Sequence, residues 1–217
     1  MLTDSRFPTG GHAHSSGLEA ITKSGHVHDS VTLREFCRGR LHTTGLVGAG
    51  LAAASAAGLD PLLLDEAADA RSPSPALRAT ARKLGRQMMR TARAVWPSPA
   101  LEALAVARPR GIHHAVVLGL AAASAGLAPL DAAHAAAYDS ISGPAAAAVR
   151  LLSLDPVEAA TVLARLAPAV DEIAERAAMA AEHARAGGTD ALPAASAPLL
   201  DIAAEHHATW SVRLFAS

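Results

Sequence analysis

The stretch Ser74–Val95, SPALRATARKLGRQMMRTARAV, decides the fold class. Leu77, Ala81, Leu84, Met88 and Val95 return at steps of three, four or seven, which places them on one stripe of a 3.6-residue helix with arginines around the rest. Ser74-Pro75 supplies a capping hydroxyl followed by proline at the first helical position. Ser98-Pro99 and Asp155-Pro156 repeat the device, and Glu158 adds a first-turn carboxylate. Thr32 with Glu35 has capping-box spacing, and Gly25, Gly58 and Gly126 stand where helices should stop. Gly143-Pro144 predicts a kink or break in a second long run, from about Asp131 to Ser153.

Composition agrees. Alanine makes up 55 of the 217 residues, against two Trp, one Tyr and three Phe. Strands need β-branched and aromatic side chains to fill a pleated surface, whereas alanine is the strongest helix former. The expectation is an all-α, single-domain helical bundle spanning 1–217, with roughly eight to ten helices. Residues 187–198, GGTDALPAASAP, lack apolar periodicity and carry breakers at both ends, so they predict a flexible loop before a last helix and a tail at 209–217. Leu51–Leu59 and Leu120–Leu127 are alike but their flanks differ, so no repeat is assigned; their small residues suit closely packed helix pairs.

Several function classes fall away. The apolar stretches Gly45–Leu59 and Ala115–Leu130 are shorter than the 18 or so residues a bilayer span requires. The chain opens Met-Leu-Thr-Asp with no secretory pattern, so a cytoplasmic location is expected. One cysteine, Cys37, excludes an internal disulfide and a Cys-based zinc cage. The formal net charge of −1 predicts no general attraction to nucleic acid. It conceals an uneven distribution: Arg71, Arg78, Arg82, Lys83, Arg86, Arg90 and Arg93 run without an acid, while Asp155 to Glu205 holds nine acids and three arginines. The basic helix is a candidate surface for an acidic partner.

Catalytic signals are weak. Pro8-Thr9-Gly10-Gly11 lacks the GK[ST] ending of a phosphate loop, and no G-x-S-x-G elbow accompanies Ser15 or Ser16. Asp65-Glu66 and Asp171-Glu172 are adjacent in sequence and read as solvated positions. Histidines pair as His12 and His14, His26 and His28, His113 and His114, His206 and His207, none with the i, i+3 or i, i+4 spacing of helical metal ligands. No metal site is expected within one chain. The alternative is a nickel storage or sensor protein built on His12, His14, His26 and His28.

The segment Asp4-Ser5-Arg6-Phe7-Pro8-Thr9-Gly10-Gly11-His12-Ala13-His14-Ser15-Ser16-Gly17-Leu18-Glu19 resembles the opening signature of the UreF family of urease accessory proteins, D-S-x-x-P-T-G-G-x-x-H-S-x-G-L-E. Lys83–Gln87, His114–Gly119 and Ala147–Leu151 are similar to later family segments, and Arg213-Leu214-Phe215-Ala216-Ser217 to its R-L-F-x-S ending. Ser16 stands where glycine is common, Leu154-Asp155-Pro156 replaces a P-L-G-Q-like run, and Ala208 and Ala216 stand where the family often has Glu and Arg. The resemblance implies an all-α, noncatalytic homodimer. It implies partners as well: a UreD/UreH-type protein, the GTPase UreG and apo-urease, with nickel and GTP handled by the complex and no cofactor bound by this chain alone. Arg213, Leu214, Phe215 and Ser217, with Arg86, Arg90 and Arg150, are the expected partner contacts. The motif residues Pro8, Gly10 and Gly11 suit a turn, Ser15 a cap, and Glu19 the positive end of the helix that follows.

Overall fold

The computed structural model describes residues 7–217. Asp4 and Ser5 of the opening motif lie outside them. Among the described residues there are ten α-helices and no strand: α1 Leu18–Lys23, α2 Ser30–Arg40, α3 Leu46–Ala56, α4 Pro61–Ala70, α5 Pro75–Val95, α6 Pro99–Ala107, α7 His114–Ser124, α8 Pro129–Leu151, α9 Pro156–Gly187 and α10 Pro198–Ala208. No described helix is long and apolar enough to cross a membrane.

Helix α3 forms the axis. It is apolar on all sides, and Ala49, Leu51, Ala52, Ala53 and Ala54 are buried under α7, α8 and α9. Such a helix gains its stability from the neighbours that cover it. The expected close contact of small-residue helices is realised between α3 and α7. A methyl group at Gly119 would lie 2.1 Å from the Ala52 carbonyl oxygen, and Ser55 Oγ donates to the Val116 carbonyl at 2.8 Å. On α9 the buried positions Ala159, Val162, Leu166, Val170, Ile173, Ala177, Ala181 and Ala184 recur every three or four residues, giving the 32-residue helix one inward stripe. Leu18, Leu33, Leu41, Leu64 and Leu101 are wholly buried, each contributing about 1.5–3 kcal/mol of apolar transfer.

The serine-proline and aspartate-proline starts hold: Ser74, Ser98 and Asp155 accept from Leu77, Leu101 and Val157. The cap of α2 lies elsewhere than expected. Asp29 takes the N-cap and Thr32 sits at the third position, each bonding the other's backbone, because the helix starts at Ser30 rather than after Thr32. Helix α8 runs through Pro144 without ending. Proline offers no N–H to the Ser140 carbonyl, and Arg40 Nε donates to that oxygen at 2.8 Å instead. Arg40 closes α2, where a π-helical turn, Leu41–Gly45, links it to α3.

The stretch 187–198 is largely irregular, as its breakers suggest, with one 3-10 turn at Thr189–Ala191. It is tied down along its length. Leu192 is buried, and Arg71 donates to the carbonyls of Thr189, Leu192 and Pro193.

Candidate functional site

The opening motif lies along α5. Phe7 packs on Trp96 with ring centroids 5.5 Å apart, and Thr91 Oγ1 donates to the Pro8 carbonyl at 3.0 Å. Gly10 has φ 78°, a left-handed conformation that favours glycine, and the turn rests against the Gln87 side chain of α5. A 3-10 turn at Gly11–Ala13 leads to Ser15, whose Oγ accepts from the first-turn Glu19 N–H of α1 at 3.2 Å, although Gly17 rather than Ser15 holds the N-cap. Ser16 sits at φ 55°, in the left-handed region. That is the physical reason glycine suits this position, and the serine is held there at some cost.

The tail returns to this motif across nearly the whole chain. Ser15 N–H and Oγ both donate to the Ser217 carbonyl at 2.7 Å, and Ala216 N–H donates to Ala13 at 2.8 Å. His14 Nδ1 lies 2.6 Å from Ser217 Oγ. Glu19 takes the remaining tail donors: Oε1 accepts from Leu214 N–H at 2.7 Å, and Oε2 from Phe215 N–H at 3.0 Å and His207 Nε2 at 2.9 Å. Burial by itself would raise the Glu19 carboxyl. The N–H groups of Leu214 and Phe215 and the His207 ring together outweigh it and hold the group below the usual range. Burial, with the Lys83 and His12 charges, pushes His14 down to about 4, so its ring is neutral at pH 7. Glu19 therefore serves less as a partner of the α1 dipole than as a receptor for tail amides.

The tail's apolar anchor also turns inward. Phe215 is 5% exposed, with the Arg150 guanidinium 4.9 Å above its ring, whereas Leu214 is 54% exposed and Val212 83%. Lys23 Nζ sits 3.9 Å over the Trp210 ring. Of the expected contact residues, Arg150, Phe215 and Ser217 meet at this junction, and Arg213 and Leu214 face outward from it. A cavity of about 620 Å³ opens beside them, where His12, His14, His114, Asp139 and Arg150 meet Phe215. Among the described residues no three His, Cys, Asp or Glu side chains are placed to hold a metal ion. His26 bonds Ser24 and His28 faces the Gly25 carbonyl, so the two early histidine pairs build no common site.

Helix α5 differs from the basic face its sequence suggests. Arg82 grips Asp69 through two parallel bonds of 2.8 and 2.7 Å and reaches Asp65 at 3.2 Å. His113 donates from Nε2 to Asp69 at 2.8 Å and from its backbone to Asp65 at 3.0 Å. The Arg82 guanidinium, helped by His113, draws the Asp69 carboxyl down to about 2, and burial lowers His113. Asp65 is buried at 4% exposure, not solvated; only its neighbour Glu66 faces water. A signal for this was present: Asp65 and Asp69, like Arg78 and Arg82, are four residues apart on helices of opposite charge. Arg86 and Arg90 are exposed on another side of α5, away from the junction.

These features define an all-α protein whose distinctive element is a junction of its opening motif and its tail on a helical bundle. A family model described as UreF matches residues 27–167. The chain is 43% identical to the urease accessory protein UreF of Mycolicibacterium vanbaalenii, an alignment covering 100% of this chain and 96% of that one. The corresponding proteins of Mycobacterium marinum and Mycobacterium tuberculosis are each 41% identical, covering 100% and 95% of this chain and 96% and 91% of theirs. The chain belongs to the UreF family of urease accessory proteins.

Proposed function

We propose that this chain is a noncatalytic scaffold of urease maturation, joining a UreD/UreH-type accessory protein and the GTPase UreG. The assembly promotes GTP-dependent insertion of nickel into apo-urease. The reading includes a homodimer at work in the cytoplasm, with nickel and GTP held by the complex rather than by this chain alone. The observation that carries it is full-length similarity to proteins named urease accessory proteins. The junction is consistent with it: the tail's buried half fixes Phe215 and Ser217 in place, and its outer half offers Arg213, Leu214 and Val212 on a backbone already ordered. Preordered apolar and arginine groups lose less freedom on binding, which favours them as anchors.

Copurification with the cognate UreD/UreH-type protein tests the scaffold, and urease activity in a deletion strain tests its need. Absence of any complex together with normal urease activity rejects the reading. Removing Arg213–Ser217 would strip partners from Glu19 as well as contacts from a surface. Leu214→Asp is the cleaner variant, since its side chain is exposed: it should weaken the complex at least tenfold and leave the melting temperature unchanged.

A further inference from the structure

Most cations of α5 are spent inside the molecule, on Asp65, Asp69, Glu102 and backbone carbonyls. One corner is different. The later part of α5, the end of α6 and the 108–112 segment enclose a recess of about 190 Å³ walled by Arg86, Arg90, Arg93 and Arg108, floored by Met89 and Leu104, and lined by no acid. Arg93 is held by Glu102, and Arg86 by the Arg110 carbonyl at 2.6 Å. Among the described residues, Arg90 and Arg108 have no acceptor. Arg110 and Lys83 add positive charge in the same part of the chain.

We propose that this recess is a docking site for an acidic protein segment, seating its Asp or Glu carboxylates between Arg90 and Arg108. Guanidinium groups present planar donor forks that match a carboxylate, and two of those in this concave wall lack a counter-charge among the described residues. Apolar surface lies between the arginines, from Met89, Leu104, Ala105, Pro109 and Ile112. A polypeptide with side chains to cover that surface fits the recess better than a free anion. Nucleic acid fits less well, because Trp96, the neighbouring aromatic, is engaged with Phe7 and offers no stacking platform. The partner's identity as a component of the urease-maturation complex rests on the scaffold reading above; the recess's preference for carboxylate does not.

The test uses the full chain in two arms. In the first, arginine Nε resonances are followed by NMR during titration with a tetraglutamate peptide, with tetralysine as control. Arg90 and Arg108 should shift selectively, while Arg34, Arg165 and Arg176, outside the recess, stay near their starting positions. Uniform shifts of all arginines, or none, overturn the proposal. In the second, Arg90→Glu/Arg108→Glu is compared with wild type for binding to each urease-maturation component. At least one should bind the variant tenfold or more weakly, with Arg90→Lys/Arg108→Lys in between. Wild-type affinity for every partner overturns the recess as a docking site. If wild type binds none of them while the peptide shifts still localise, the scaffold reading fails and the acidic-segment site stands for a partner outside urease maturation.

Discussion

Two carboxylate-centred joints hold this molecule, and they are built from opposite materials. At Asp65 and Asp69, charge meets charge: one guanidinium and one histidine clamp α4 to α5 and to the start of α7. At Glu19 a carboxylate meets mainly backbone, two tail amides and His207, with no guanidinium on it. The first joins helices that many other contacts also hold. The second holds nine residues beyond α10 whose other ties include Phe215, the Lys23–Trp210 contact and the bonds to Ala13, His14 and Ser15. Losing the first should weaken the whole bundle, and losing the second should free one end.

The largest expected effect is at the charged joint. Asp65→Ala leaves Arg82 short of a partner and the His113 N–H without an acceptor, and should cost about 4 kcal/mol in urea unfolding, spread over the whole transition. A loss below about 1 kcal/mol would mean that Asp69 carries the joint alone.

Acid should separate the joints next. The unfolded chain protonates its histidines near 6.5, the folded His14 only near 4. The unfolded state therefore takes up the proton first. This contribution is complete above about pH 6.5 and drains as pH falls toward 4, by up to roughly 3 kcal/mol over that window. The lowered His113 acts with the same sign, but Asp69, held at about 2 by Arg82, keeps its charge well below the usual carboxylate range. Amide exchange at Ala216 should accelerate at pH 5 before that at His113, and His14→Gln should flatten the slope. Equal acceleration at both sites would erase the distinction.

A smaller effect follows from Glu19→Gln, which keeps the shape and removes the charge. It should cost about 2 kcal/mol, confined to the tail: fast exchange at Leu214 and Phe215 with little change in the main unfolding midpoint. A shift of the global transition by the same amount would show that the tail belongs to the cooperative core. Smallest is Ser16→Gly, expected to stabilise by about 1 kcal/mol by relieving the left-handed backbone. Thermal unfolding reads it, and destabilisation would mean that the serine side chain has a role of its own.

Local grammar was legible in the chain and distant pairing was not. Ser74-Pro75, Ser98-Pro99 and Asp155-Pro156 open helices where their chemistry places them, because caps and fixed proline angles act within a single turn. Pro144 leaves a kink or a break open, and what lets α8 run on without a break is distant: the cation that takes up the orphaned Ser140 carbonyl comes from Arg40, 100 residues earlier. Glu19 reads locally as a dipole partner, while its bonding partners lie between 188 and 196 residues away. The arginines of α5 show the same limit. Their spacing makes a basic helix, and only the facing groups of α4, α6 and the 108–112 segment reveal which of them are held.

The Glu19 joint also has a consequence in time. Its tail donors are synthesised long after it, 195 positions after the carboxylate in the case of Leu214. At about 5–20 residues per second, Glu19 waits on the order of 10–40 s before an amide exists to meet it. Through that interval the opening motif can be present and turned on α5 but not fastened, and the junction closes only once residues 214 and 215 have been made.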